Sequence, residues 1–158
     1  MRWNPWGKAV KEIDSVIMKN IYKKCLCRVY SAALMLAAME KHCVVVNFLL
    51  AQQADLHVQD KKGISALMYA VLSGSMVCVT ALVEAVEQTD RTLLDGQVDR
   101  EGNTALLHAA ASGNADALSL LLLHGADPKR VNGKGQDAEA LAASYDRKEI
   151  VNLLKELE

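Results

Sequence analysis

Self-similarity at a fixed period limits this chain more than any other feature, because a unit too small to bury its own apolar faces must stack on copies of itself. Four segments align on their paired small residues. They are VYSAALMLAAMEKHCVVVNFLLAQQADLHVQDK from Val29, KGISALMYAVLSGSMVCVTALVEAV from Lys62, EGNTALLHAAASGNADALSLLLLHGADPKRVNG from Glu101 and KGQDAEALAASYDRKEIVNLLKELE from Lys134. The starts are spaced by 33, 39 and 33 residues. Residues 29–158 therefore divide into units near 29–61, 62–100, 101–133 and 134–158, preceded by a segment over 1–28.

Each unit follows one local plan. Ser65, Thr104 and Asp137 stand where a helix begins, with a side-chain oxygen able to accept from an amide two or three residues on, and an Ala follows each. A helix of about two turns is predicted there. Gly74 and Gly113 supply a tight or left-handed turn, and MVCVTALVEAV or ADALSLLLL forms a second, largely apolar helix. Gly125 ends that helix in the third unit, and Ala126-Asp127-Pro128 leads outward into a loop.

The pattern resembles the ankyrin repeat, whose period is 33 residues and whose signature is T-P-L-H-x-A. The resemblance is carried by Gly102, Thr104-Ala105-Leu106, Ala109-Ala110, Gly113, Leu120-Leu121-Leu122 and Gly125-Ala126-Asp127. Ser65-Ala66-Leu67, Ala70 and Gly74 repeat part of it, as do Ala37-Ala38, Phe48-Leu49-Leu50 and Ala54-Asp55, and again Ala142-Ala143, Ile150-Val151 and Leu153-Leu154. It implies an all-α solenoid of stacked helix-turn-helix units with β-turn or loop fingers.

Some positions depart from the family pattern. Tyr30, Ala32 and Lys41 replace Gly, Thr and Gly in the first unit, and Glu139 and Asp146 replace Leu and Gly in the last. His108 lies one residue later than the family's histidine, with Leu107 in its place, and is expected to be a half-buried packing residue rather than a ligand. Arg147, Lys148, Glu149, Asn152, Lys155 and Glu156 give the last helix the polar outer surface of a solenoid end. At the other end, Val10, Ile13, Val16-Ile17 and Ile21 recur at helical spacing. One period back, Ile13, Val16, Ile17 and Met18 fall on second-helix positions, which predicts a capping helix over the first unit.

Composition agrees with this class and narrows the alternatives. Of 158 residues, 51% are apolar and 23% charged, in the range of folded domains, and a single Phe beside two Trp and four Tyr implies an aliphatic core. Net charge is −1, but residues 1–28 hold seven Lys or Arg against Glu12 and Asp14. That basic segment supports a secondary reading in which it touches nucleic acid or an anionic membrane while the repeats recruit a partner. Cys25, Cys27, Cys43 and Cys78 form no framework, and no apolar leader precedes them. Reduced thiols in a cytoplasmic or nuclear protein are expected, neither secreted nor transmembrane. Ile64–Val83 is twenty residues without a charge, long enough to span a bilayer, yet it is the second copy of the unit, broken at Ser73-Gly74-Ser75.

No catalytic signature is present. The chain has no G-x-x-x-x-G-K-S/T loop, no H-E-x-x-H, no G-x-S-x-G and no C-x-x-C, and its four His fall at scattered repeat positions. The expectation is a non-enzymatic, monomeric protein-binding adaptor or scaffold, with no cofactor, metal or small-molecule substrate; a regulatory or recognition subunit of a larger enzyme complex is the third reading.

The family resemblance implies that partners dock on loop tips and on the exposed side of each first helix. The tip candidates are Gln59, Lys61, Lys62 and Ile64, then Arg100, Glu101 and Asn103, then Lys134 and Gln136. The helix-face candidates are Met39 and Glu40, Leu72 and Ser73, Ala111 and Ser112, and Ser144 and Tyr145. Met39, Leu72 and Tyr145 stand out as apolar or aromatic groups at positions that are usually polar, and Lys61, Lys62 and Arg100 place positive charge that would steer an acidic peptide. Between Val86 and Val98 the chain inserts EQTDRTLLDGQ, six residues beyond the regular spacing. Leu93 and Leu94 within it are candidates for an apolar contact with a partner, or for a plug against the second helix.

Overall fold

The computed structural model describes residues 28–156. The proposed capping helix and basic segment lie outside the described residues, apart from Arg28. Each repeat contributes a first and a second helix. These are α1 (28–39) and α2 (Cys43–Ala51), α3 (Ala66–Ser73) and α4 (Met76–Thr89), α6 (Ala105–Ser112) and α7 (Ala115–Leu123), and α8 (Ala138–Ser144) and α9 (Lys148–Glu156). A one-turn helix, α5 (Leu93–Gly96), sits in the insertion. Among the described residues there is no strand, only an isolated antiparallel bridge between Gln59 and Ser65.

The helix starts obey local chemistry. Ser65 Oγ accepts from Met68 N at 3.4 Å, Thr104 Oγ1 from Leu107 N at 3.3 Å and Asp137 Oδ1 from Ala140 N at 2.8 Å. Each satisfies an amide that has no partner inside the helix. Ala32 at the matching place in the first repeat has no such oxygen, and α1 does not start there: it is already helical at residue 28. Without the stop supplied by a cap and a turn glycine, the helix runs back past the point where α3, α6 and α8 begin.

The helix ends show where glycine is needed. Gly74 and Gly113 leave α3 and α6 with φ of 73° and 79°. Lys41 and Asp146 occupy the same position in the first and last repeats with φ of 61° and 55°, and Gln53 takes the place of Gly125 with φ of 57°. A side chain in this left-handed region crowds its own carbonyl by roughly 1–2 kcal/mol. Lys41→Gly is therefore expected to stabilise the chain by about 0.5–1 kcal/mol, the gain being reduced by glycine's larger unfolded-state entropy. A urea midpoint at or below that of the parent would refute this.

First helices stack on first helices, α3 on α6 and α6 on α8, while α2, α4, α7 and α9 form the second row. One aliphatic core runs between the rows. Leu34, Met68, Leu82, Leu106, Leu118, Leu121 and Ile150 are all essentially inaccessible in it. At the far end Arg147, Lys148, Glu149, Asn152, Lys155 and Glu156 are exposed, as expected of a terminal repeat. The uncharged stretch over Ile64–Val83 is divided by the Gly74 turn into α3 and α4. No helix among the described residues is long and apolar enough to cross a membrane.

The insertion is a brace. α4 runs five residues longer than α2 or α7, through the place where α7 ends, and α5 then turns Leu93 and Leu94 inward, leaving them 7% and 2% exposed. Around them Gln97 Nε2 donates to Leu56 O at 2.8 Å, Arg91 donates to His124 O at 2.9 Å, and Asp95 accepts from Asp127 N at 3.2 Å. The second repeat is thus tied to both neighbours. The expectation that Leu93 and Leu94 contact a partner is corrected: burial in the core removes them from any outer surface.

Candidate functional site

Three loop fingers project between the repeats, and a carboxylate or amide at the same place organises each. Asp60 Oδ1 accepts from the amides of Lys62 and Ile64, both at 2.8 Å, and Asp99 Oδ1 accepts from Glu101 and Asn103 at the same distance. Asn132 Oδ1 accepts from Lys134 at 2.9 Å and Gln136 at 3.0 Å. An acidic or amide side chain folding back on its own turn is the mechanism by which Asp and Asn build such turns. The sequence signal is Asp or Asn three residues before Gly, as in DKKG, DREG and NGKG.

Neighbouring fingers are bonded to one another. Arg100 N donates to Lys62 O at 3.0 Å and Gly133 N to Glu101 O at 2.8 Å. Gln59 Nε2 reaches Val98 O at 3.0 Å, and Asn132 Nδ2 reaches Asn103 Oδ1 at 3.0 Å. The approach is close: a Cβ on Gly102, whose φ is 81°, would lie 2.7 Å from Gly133 N. The glycine is required there by both backbone and neighbour.

Two of these carboxylates also brace the first helices. Tyr69 donates to Asp60 Oδ2 at 2.6 Å, and His108, at the same position one repeat on, places Nε2 2.9 Å from Asp99 Oδ2. Tyr69 and Asp60 shift in opposite directions. The hydrogen bond to Asp60 raises the phenol's pKa, while Asp60, despite burial pushing the other way, is held below the usual carboxylate range by Tyr69 and the Ile64 and Lys62 amides. For Asp99, burial is again outweighed, here by the amide and side chain of Asn103, the Glu101 amide and His108. Burial lowers the pKa of His108, and the upward pull of Asp99 does not reverse it. His108 is thus the half-buried packing residue expected from its position, tied to the finger.

The fingers and first helices enclose two hollows along one surface. The first, about 460 Å³, is lined by Ala32, Met35, Leu36 and Met39 from α1, by Tyr69, and by Gln59 and Lys61 from the first finger, with Arg28 at its edge. The second, about 360 Å³, joins Glu101, Asn103, Lys134 and Gln136 from the fingers to Ala111, Ser144 and Tyr145. A third, of about 910 Å³, lies between second helices α2 and α4, lined by Leu50, Ala81 and Ala85 among others. Its lining follows from small residues at α4 positions and has no signature in the repeat pattern.

The candidate residues fall into two groups. Met39, Leu72 and Tyr145 are 41%, 46% and 59% exposed, and Glu40, Lys61, Lys62, Arg100, Glu101, Ser112, Lys134 and Ser144 are exposed as well. Lys134 and Glu101 face each other at 3.7 Å across two solvated side chains, a weak pair. The remainder serve the scaffold. Asn103 is 9% exposed and holds Asp99 and Asn132, so its assignment to a partner-facing tip is corrected. Ser73 Oγ donates to Ala38 O across the repeat boundary, Ile64 packs on the core, and Gln59 is engaged with Gly63 and Val98. Ala111 and Gln136 are half-buried.

Comparison with known proteins accords with this architecture. Over 156 residues the chain is 29% identical to the probable 26S proteasome regulatory subunit p28 of Saccharomyces cerevisiae, covering 94% of this chain and 66% of that protein. It is 36% identical over 83 residues to zygote-specific protein 3 of Chlamydomonas reinhardtii, covering 48% of this chain and 22% of that protein. The chain therefore spans just under two thirds of the first relative and about a fifth of the second. The family model for ankyrin repeats in three copies matches residues 34–132 and 91–158. Such repeats are protein–protein interaction modules, and with fingers, turns and helix pairs recurring in every unit, this chain belongs to the ankyrin-repeat family.

Proposed function

We propose that the chain is a non-catalytic adaptor that holds a segment of a partner protein in the finger-lined groove, and that it serves as a regulatory subunit of a larger assembly. The observation that carries this reading is the exposure of Met39, Leu72 and Tyr145 at the C-terminal ends of α1, α3 and α8, beside fingers fixed by their own hydrogen bonds. Exposed apolar anchors on a rigid frame bind with little ordering penalty. Lys61, Lys62 and Arg100 on the tips favour a partner segment carrying acidic residues. Likeness to a proteasome regulatory subunit supports the assembly role. The free thiols of Cys43 and Cys78 suit a reducing compartment, cytoplasmic or nuclear.

The test is affinity capture with the full chain and with a Met39→Glu, Leu72→Glu, Tyr145→Ala variant. These side chains are exposed, so the variant is expected to melt within about 2 °C of the parent. Its specific partners should be lost or reduced at least tenfold. Recovery of the same proteins at the same yield with both baits would rule out the groove.

A further inference from the structure

The four repeats share one geometry, so a position can be compared with its equivalents one period away. Cys78, Ala117 and Ile150 occupy the same place on the second helices of repeats two, three and four, and are 0%, 0% and 1% exposed. Each lies on a helix packed against the second helix of the preceding repeat, as α4 packs on α2, α7 on α4 and α9 on α7. Val45 holds this place in the first repeat and is 44% exposed. Three residues on, Phe48 is 60% exposed, although its equivalents Ala81, Leu120 and Leu153 are packed against the core. Val44 is a control. At 84% it is exposed like its equivalent Val77, at 64%, because that place points outward in every repeat.

The exposed pair Val45 and Phe48 therefore has the outline of a missing neighbour: the second helix of a preceding unit. The chain before Arg28 carries a sequence suited to that place. Ile13, Val16 and Ile17 lie one period before Val46, Leu49 and Leu50, which are buried or half-buried on α2; Asp14 and Ser15 fall between these apolar positions, and Lys11, Glu12, Lys19 and Asn20 flank them. Five residues lie between Tyr22 and Arg28, a reach of up to roughly 20 Å, which keeps this segment close to the point where the described chain begins. We infer that residues 9–22 of this same chain cover Val45 and Phe48, acting as the second helix of a half-repeat and closing the apolar end of the solenoid. The inference is independent of the groove and of its partner.

Two measurements on the full chain test it. Val45→Arg and Ile17→Arg are each expected to lower the thermal midpoint by roughly 5 °C, and the double variant to fall little further, since both remove one contact. A photo-crosslinking residue in place of Phe48 is expected to link within the chain to a peptide from residues 9–22, and remains informative if the Arg variants fold poorly. Single variants within about 1 °C of the parent would show an uncovered face and overturn the inference. So would a crosslink to a second copy, with a dimer mass that Val45→Arg abolishes, or a crosslink formed only when another protein is present.

Discussion

Replacing Leu93 and Leu94 together with Ser should unfold this protein more readily than any pair of changes on its finger-lined surface. Both side chains are nearly inaccessible, and truncating a buried Leu typically destabilises by about 3–5 kcal/mol. A hydroxyl left in an apolar setting adds to that loss, while some relaxation at this short helix offsets it. The pair should therefore lose at least about 5 kcal/mol after that relaxation, a fall in midpoint of roughly 10–20 °C or more for a chain of this size. Calorimetry of parent and variant decides the matter. A midpoint within about 2 °C would return the pair to the surface and revive a partner-contact role; a large fall with partner capture intact below the transition would fix it as packing.

The second large effect is expected at Asp99. Asp99→Ala leaves the amides of Glu101 and Asn103 and the Asn103 side chain without their acceptor, and about 3 kcal/mol should be lost. Asp99→Asn is expected to lose less than Asp99→Ala, because its carbonyl oxygen can keep both amides, as Asn132 does in the next finger, while its NH2 leaves the Asn103 side chain without an acceptor. Equal losses in urea unfolding of the two variants would disprove this account. The pH dependence has a definite sign. His108 has a lowered pKa in the folded chain, so below about pH 6.5 the unfolded chain binds a proton that the folded one resists, and stability falls as pH falls. Asp99, held below the usual carboxylate range, adds a further loss in the same direction at lower pH, beginning near its unfolded pKa of about 3.9. Replacing His108 with Phe should flatten the upper part of that profile and leave the lower part.

The residues legible in the sequence were those whose role is local. Ser65, Thr104 and Asp137 could be recognised as caps because the amide each accepts from lies three residues away, and Gly74 and Gly113 as turns because only backbone conformation is involved. The period located the stacking and put Met39 and Leu72 at equivalent places near the ends of the first helices, with Tyr145 one place further on. What escaped depends on residues distant in the chain. Asn103 looks like any polar tip residue until Asn132, 29 positions on, is placed against it. Leu93 and Leu94 could face either way, since a four-residue helix has too few positions to define an apolar side. The link from Gln97 to Leu56 spans 41 residues and has no signature in either sequence.

That link, with Arg91 and Asp95 gripping the start of the loop after α7, bears on how the solenoid comes apart. A regular stack is held only by neighbour-to-neighbour faces, so it can fray one unit at a time from either end. Here the extra residues of the second repeat latch onto the loops of the first and third, while the fourth is held by its helix faces, its finger and the Arg147 bond to Ala111 O. Amide exchange should accordingly show repeats one to three opening together as one cooperative block, with α8 and α9 exchanging first by a separate, lower-energy opening.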